Sequence, residues 1–133
     1  MDIDNLIENF KTMTEWEDRY AYIIELGKGL APFPPEKKGQ KTLVAGCASQ
    51  VWMDYECDTK GFYRFRFDSD ALIVKGLLFI IHALFDGKKA SEIRMIDAEG
   101  LFNELGLEAN LSSQRLVGLS SIVTKVRSLA AKD

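Results

Sequence analysis

The stretch from Ala71 to Phe85 constrains this chain more than any other. It is apolar almost all round, broken only by Lys75 and His82. That is too short to span a bilayer, and a helix apolar on every side belongs at the centre of a core. Asp68-Ser69-Asp70 supplies its expected N-terminal cap, Asp86-Gly87 stops it, and Gly76 lets a neighbour come close. His82 lies on this helix with no cysteine or carboxylate motif nearby, which assigns it to the core or its boundary rather than to a ligand set.

The residues before it read as strands. Gln50–Cys57 puts Val51, Met53, Tyr55 and Cys57 on one face and Trp52, Asp54 and Glu56 on the other. Asp58-Thr59-Lys60-Gly61 is a hairpin turn. Phe62–Asp68 then alternates Tyr63, Phe65 and Phe67 with Arg64 and Arg66. One face is aromatic and one charged, as in an antiparallel sheet with a wet side. Arg64 and Arg66 are expected to pair with Asp54 and Glu56 across the hairpin, at ~0.2–1 kcal/mol each. Leu43–Ala45 is expected to open a three-stranded meander. Cys57 is expected to pack in the sheet without a chemical role.

Helices flank the strands. Ile3, Leu6, Ile7 and Phe10 form a helical stripe that Asp2 or Asp4 can cap. Thr14 and Glu17 have capping-box spacing ahead of Trp16, Tyr20, Ile23 and Ile24, a second helix ending near Gly27 or Gly29. Prolines 32, 34 and 35 impose a loop down to Lys41, with room for one turn at Pro35–Lys38. Downstream, Ala90–Met95 is a short helix, and Asp97 caps Ala98–Leu105. Ser112 caps a last helix with a stripe of Leu116, Leu119, Val123, Val126 and Ala130. Lys125, Arg127 and Lys132 suit its negative end. Strands clustered mid-chain between helices predict one α+β domain over 1–133, its helices gathered on one sheet face.

Between Leu43 and Trp52 the chain must turn. Gly46 permits backbone angles closed to other residues, and Ala48 and Ser49 are small. The turn carries Cys47, which is either a small hydrophobe tucked under its own loop or a thiol presented to a partner. An acidic, polar amino terminus is no signal peptide, so a cytosolic protein with reduced thiols is expected. Cys57 lies seven residues along the strand from Gln50, about 23 Å at roughly 3.3 Å per residue, beyond disulfide reach. One histidine and two cysteines fit no zinc pattern, so no metal is expected. The net charge of −3 offers no basic stripe for nucleic acid. Seven acids among the first 25 residues, against Lys11 and Arg19, belong to solvated helix faces.

A lone cysteine on a turn serves as a nucleophile, a metal ligand or a carrier of a transferable group. A hydrolytic nucleophile needs a base, and the single histidine is 35 positions away in sequence (82 − 47). No C-x-x-C pair supplies a resolving thiol. A sulfur carrier needs less: a thiolate that attacks sulfur, a sheltered site and a partner that opens it. A thiol-dependent, peroxidase-like redox role for Cys47 is the alternative.

Val44-Ala45-Gly46-Cys47-Ala48-Ser49-Gln50-Val51-Trp52 resembles the V-x-G-C-x-S-Q-V-W motif of the SufE family, the sulfur acceptors of cysteine desulfurases, which includes the CsdE proteins. Arg19–Gly27, Asp68–Leu77, Glu104–Leu107 and Leu111–Arg115 also resemble the family, in order, over nearly the whole chain. The resemblance implies the α+β fold shared with IscU-type scaffolds. It implies that Cys47 accepts persulfide sulfur from a SufS-type cysteine desulfurase, stimulates that enzyme, and passes the sulfur to a SufB-type iron–sulfur scaffold complex. The pyridoxal phosphate belongs to the desulfurase, and no cofactor is expected on this chain. Gly46, Ser49, Gln50 and Trp52 become turn and docking residues, and Asp70 a helix-start carboxylate. Arg115 either holds the loop or helps the thiolate, or is a surface charge paired with an early acid. Three positions depart from the family: Ala48 where glutamine is frequent, and Leu116 and Val117 where the family is polar. A persulfide is easily lost to small thiols, so Cys47 is expected to be covered at rest and exposed on docking.

Overall fold

The apolar run forms the central helix. In the computed structural model, which describes residues 2–131, that helix spans Leu72–Phe85, with Leu78, Ile80, Ile81 and Phe85 inaccessible to solvent. Ahead of it come α1 (Ile3–Lys11), α2 (Trp16–Gly27), a single 3₁₀ turn at Pro35–Lys37, β1 (Val51–Cys57) and β2 (Phe62–Ser69). The central helix is α3, followed by β3 (Lys88–Lys89), α4 (Ala90–Met95), α5 (Ala98–Glu104), α6 (Leu107–Asn110) and α7 (Ser113–Ala130). This is the predicted α+β domain with a three-stranded antiparallel sheet, in the order β1-β2-β3.

Its strands differ from the expected set in two places. Leu43–Ala45 forms no full strand; Leu43 makes one isolated bridge to Trp52, flanked by Val44 N–H to Val51 O and Met53 N–H to Thr42 O, both 2.8 Å. The third strand is Lys88–Lys89, which returns after α3 to pair with Phe62 and Tyr63. Two lysines carry no apolar alternation, so the pattern that reveals β1 and β2 is silent there.

Tyr63, Phe65 and Phe67 are buried, and their rings stack at 6.0 Å intervals. Arg66 pairs with Asp54 and approaches Glu56 at 3.8 Å, as the register predicts. Arg64 turns instead to Asp86 at 3.4 Å, because Asp86 is fixed beside it by the Phe65 N–H at 2.7 Å. Cys57 is exposed rather than packed: Tyr55, Glu56 and Cys57 all lie open at the far end of β1, past the edge of the core.

The helix pair α2 and α3 meets at two glycines. A Cβ on Gly76 would stand 1.9 Å from the Ile23 carbonyl oxygen, and one on Gly27 would stand 2.8 Å from the Gly76 nitrogen. Arg19 ties this pair to the rest. Its guanidinium donates to the carbonyls of Met13 and Leu105 at 2.9 Å and of Phe10 at 3.2 Å, drawing together the C-terminal ends of α1 and α5. Of the expected caps, Asp2, Asp97 and Ser112 form. Thr14 does not; the N-cap position of α2 is Glu15, which makes no side-chain cap. Lys132 lies outside the described residues. Among the described residues, no helix is long and apolar enough to cross a membrane.

Candidate functional site

The turn that carries Cys47 is held at both ends. Upstream, Val44 is bonded to β1 as described. Downstream, three bonds hold Gln50: its N–H donates to Asp70 Oδ1 at 3.1 Å, and its carbonyl accepts from the Ser69 hydroxyl at 2.7 Å and the Asp70 N–H at 3.3 Å. This corrects the helix-cap role expected for Asp68-Ser69-Asp70. Asp68 and Ser69 belong to β2, the N-cap position of α3 is Ala71, and Asp70 fastens the foot of the cysteine turn. Between the anchors, Gly46 has φ +89°, and a Cβ there would meet Ser121 Oγ at 2.6 Å. The left-handed φ is what requires glycine, since the Ser121 hydroxyl is a side-chain end that can rotate away.

The anchored turn sets Cys47 against α7. Its thiol donates to the Gly118 carbonyl at 3.6 Å, and a Cβ at Gly118 would already touch the sulfur at that same distance. Cys47 heads a cavity of about 190 Å³. Val51, Val74, Leu77, Leu119 and Ile122 make it apolar; Ser49, Ser112, Gln114 and Arg115 supply its polar lining. Burial pushes the Cys47 thiol above its ordinary pKa. At rest the group is therefore a protonated, half-buried thiol, weak as a nucleophile until it is exposed or met by a cation.

Of the residues singled out from sequence, Cys47, Ser49 and Arg115 line one cavity. Gly46, Gln50 and Asp70 shape the turn above it. Arg115 makes no ion pair among the described residues, so the surface-pairing role has no support; its N–H is capped by Ser112 Oγ at 3.3 Å. Trp52 faces away. It lies on the opposite side of β1 from Val51 and Met53, with the Lys38 ammonium 4.6 Å from its ring centre. Ala48 stands exposed at the rim, Leu116 is half-buried against the core, and Val117 is 58% exposed beside the turn.

No periodicity or motif assigns Gly118, Ser121, Val74 or Leu77 to the site. Gly118 precedes Leu119 on the inward stripe of α7, and a glycine inside a helix is the one signal that marked it. Among the described residues, no group of three His, Cys, Asp or Glu side chains is arranged to hold a metal ion.

Asp70→Ala is expected to cost about 1 kcal/mol, the worth of one hydrogen bond. It should also speed alkylation of Cys47 by iodoacetamide, followed by peptide mass. A variant with an unchanged melt and an unchanged Cys47 rate would show that Asp70 does not hold the turn.

The family model described as "SufE: Fe-S metabolism associated domain" matches residues 4–130. An uncharacterised SufE-like protein of Rhizobium meliloti is 44% identical over 131 residues, covering 96% of this chain and 94% of that one. Another, from Rhizobium etli, is 46% identical over 130 residues, covering 94% and 86%. In fold, the chain is similar to the solution structure of a hypothetical protein from Thermus thermophilus, with a TM-score of 0.77 at 20% identity over 98% of this chain and 93% of that one. With the family model matched over almost its whole length, this chain belongs to the SufE family of proteins associated with iron–sulfur metabolism.

Proposed function

We propose that the protein is a sulfur carrier that takes sulfane sulfur on Cys47 from a cysteine desulfurase of the SufS type, stimulates that enzyme, and hands the sulfur to a SufB-type scaffold. The exchange takes place in the cytosol, where thiols stay reduced. The Cys47 thiolate attacks the terminal sulfur of the donor's persulfide. The new S–S bond forms at Cys47, the donor's S–S bond breaks, and its cysteine leaves as a thiolate that takes up the proton lost by Cys47. Sulfur moves without an outside oxidant or reductant. The pyridoxal phosphate that frees sulfur from cysteine belongs to the donor.

The observation that supports this reading best is the setting of Cys47. Its sulfur sits at the head of an apolar cavity, hydrogen-bonded to a helix carbonyl, with no described base aimed at it. A carrier gains from this arrangement: apolar walls exclude the water and small thiols that strip a persulfide. Opening the turn would release the Gly118 bond and relieve the burial that keeps the thiol protonated. Arg115, at the cavity lining, is the one described cation there to meet the resulting thiolate. A peroxidase would want a resolving thiol, and Cys57 is exposed at the far end of β1.

The reading is tested by the rate of alanine formation from cysteine. Adding this protein to a SufS-type desulfurase should raise that rate several-fold and saturate at one protein per active site. An unchanged rate across the titration would contradict it.

A further inference from the structure

The turn has a second side. Thr42 and Val44 direct their bonds inward to β1, so the groups of Leu43 and Ala45 point the other way. The Leu43 N–H is taken by the Gly39 carbonyl at 3.0 Å. The Leu43 carbonyl and the Ala45 N–H make no hydrogen bond among the described residues. They are the acceptor and donor that one residue of a parallel added strand would use.

This free edge forms one wall of a groove of about 550 Å³ whose other wall is α7, from Val117 to Ser128. Eleven residues of helix rise about 16 Å, and roughly five residues of extended chain fill that length. Lys125 is the one charged residue of the lining, which contains no acid although the chain carries 20. Beyond the exposed Val117 at its end, the rest of the α7 wall is small and hydroxylated: Ser120, Ser121, Thr124 and Ser128. At its Val117 end the groove adjoins a hollow lined by Gly46, Cys47 and Ala48. A chain lying in the groove is thus led to the cysteine turn.

We propose that this groove receives an extended, uncharged or acidic segment of the persulfide donor, added to the Leu43–Ala45 edge by main-chain hydrogen bonds. This rests on the sulfur-carrier reading and names how its donor is seated. The edge is short, one bridged residue beside β1 with Ala45 already in the turn, so the pairing amounts to two main-chain bonds, which supply affinity without demanding a fixed sequence. The same contact would pull on the turn at Ala45, one residue before the Gly46 hinge.

The test uses the full chain with a SufS-type desulfurase. Amide hydrogen exchange at Ala45 should slow at least about tenfold in the saturated complex. Ala45→Pro removes the donor and Thr124→Arg blocks the opposite wall; each should weaken binding at least about tenfold, while Ala45→Gly, which keeps the N–H, should not. An Ala45 amide that exchanges at its free rate in the saturated complex would overturn the groove. So would an Ala45 already slowed in the protein alone within a dimer seen by light scattering, since a second copy would then be the occupant. Intact mass in the same mixtures separates the two ideas. Sulfur on Cys47 with an unprotected Ala45 overturns the groove alone; no complex and no sulfur overturns the carrier reading beneath it.

Discussion

Cys47→Ser is expected to abolish sulfur acceptance and with it the stimulation of the desulfurase, so that alanine forms no faster than with the enzyme alone. A hydroxyl does not attack sulfur at neutral pH, and no neighbouring group can substitute. The fold should survive. Cys47 is half-buried and its bond to the Gly118 carbonyl is a long 3.6 Å, so losing it to serine should change stability by no more than about 1 kcal/mol. That combination separates a chemical role from a packing one. If Cys47 merely filled space under its loop, serine would leave the stimulation intact. Cys57→Ser provides the control: its side chain is exposed at the open end of β1, and the variant should accept sulfur like the wild type.

Gly76→Ala should have the largest effect on stability, a loss of about 3 kcal/mol and roughly 10 °C in melting temperature. The added methyl would stand 1.9 Å from the Ile23 carbonyl oxygen and 2.5 Å from the Ile23 Cγ2. A backbone carbonyl inside a helix cannot swing aside, so α2 must move off α3 as a body. Those two helices carry Leu26, Ile23, Leu77 and Ile80 into the same core, and separating them reaches far beyond one contact. Gly39→Ala is the control, because a Cβ there meets nothing within 4 Å. Equal melts for the two variants would mean that the glycine contact between α2 and α3 is not as tight as described.

Much of this architecture is legible in the chain. The apolar run at 71–85, the alternation at 50–57 and 62–68, and the stripe of the last helix each follow a periodicity that burial imposes. The short pieces escape. Lys88–Lys89 pairs through its backbone alone, and α6 is a single turn after Gly106 whose φ of +79° resets the chain. Side-chain partners escape as well, because proximity in sequence suggests the wrong one. Asp70 precedes a helix and resembles its cap, yet the hairpin register brings Gln50 beside it, and the turn takes the carboxylate. Trp52 stands in the cysteine motif, yet strand alternation turns it to the opposite face. The position of Cys47 was legible from its small neighbours. The cavity beneath it was not, since Val74, Leu77, Gly118 and Ile122 come from helices distant in sequence.

The central claim is that Cys47 carries sulfur, and intact mass tests it most directly. The protein is incubated with a SufS-type desulfurase and cysteine, separated from small thiols, and weighed without reduction. One added sulfur on the wild type, located to the peptide containing Cys47 and absent from Cys47→Ser, is the expected result. A wild-type mass that does not change, or an added sulfur that persists in Cys47→Ser, would contradict it.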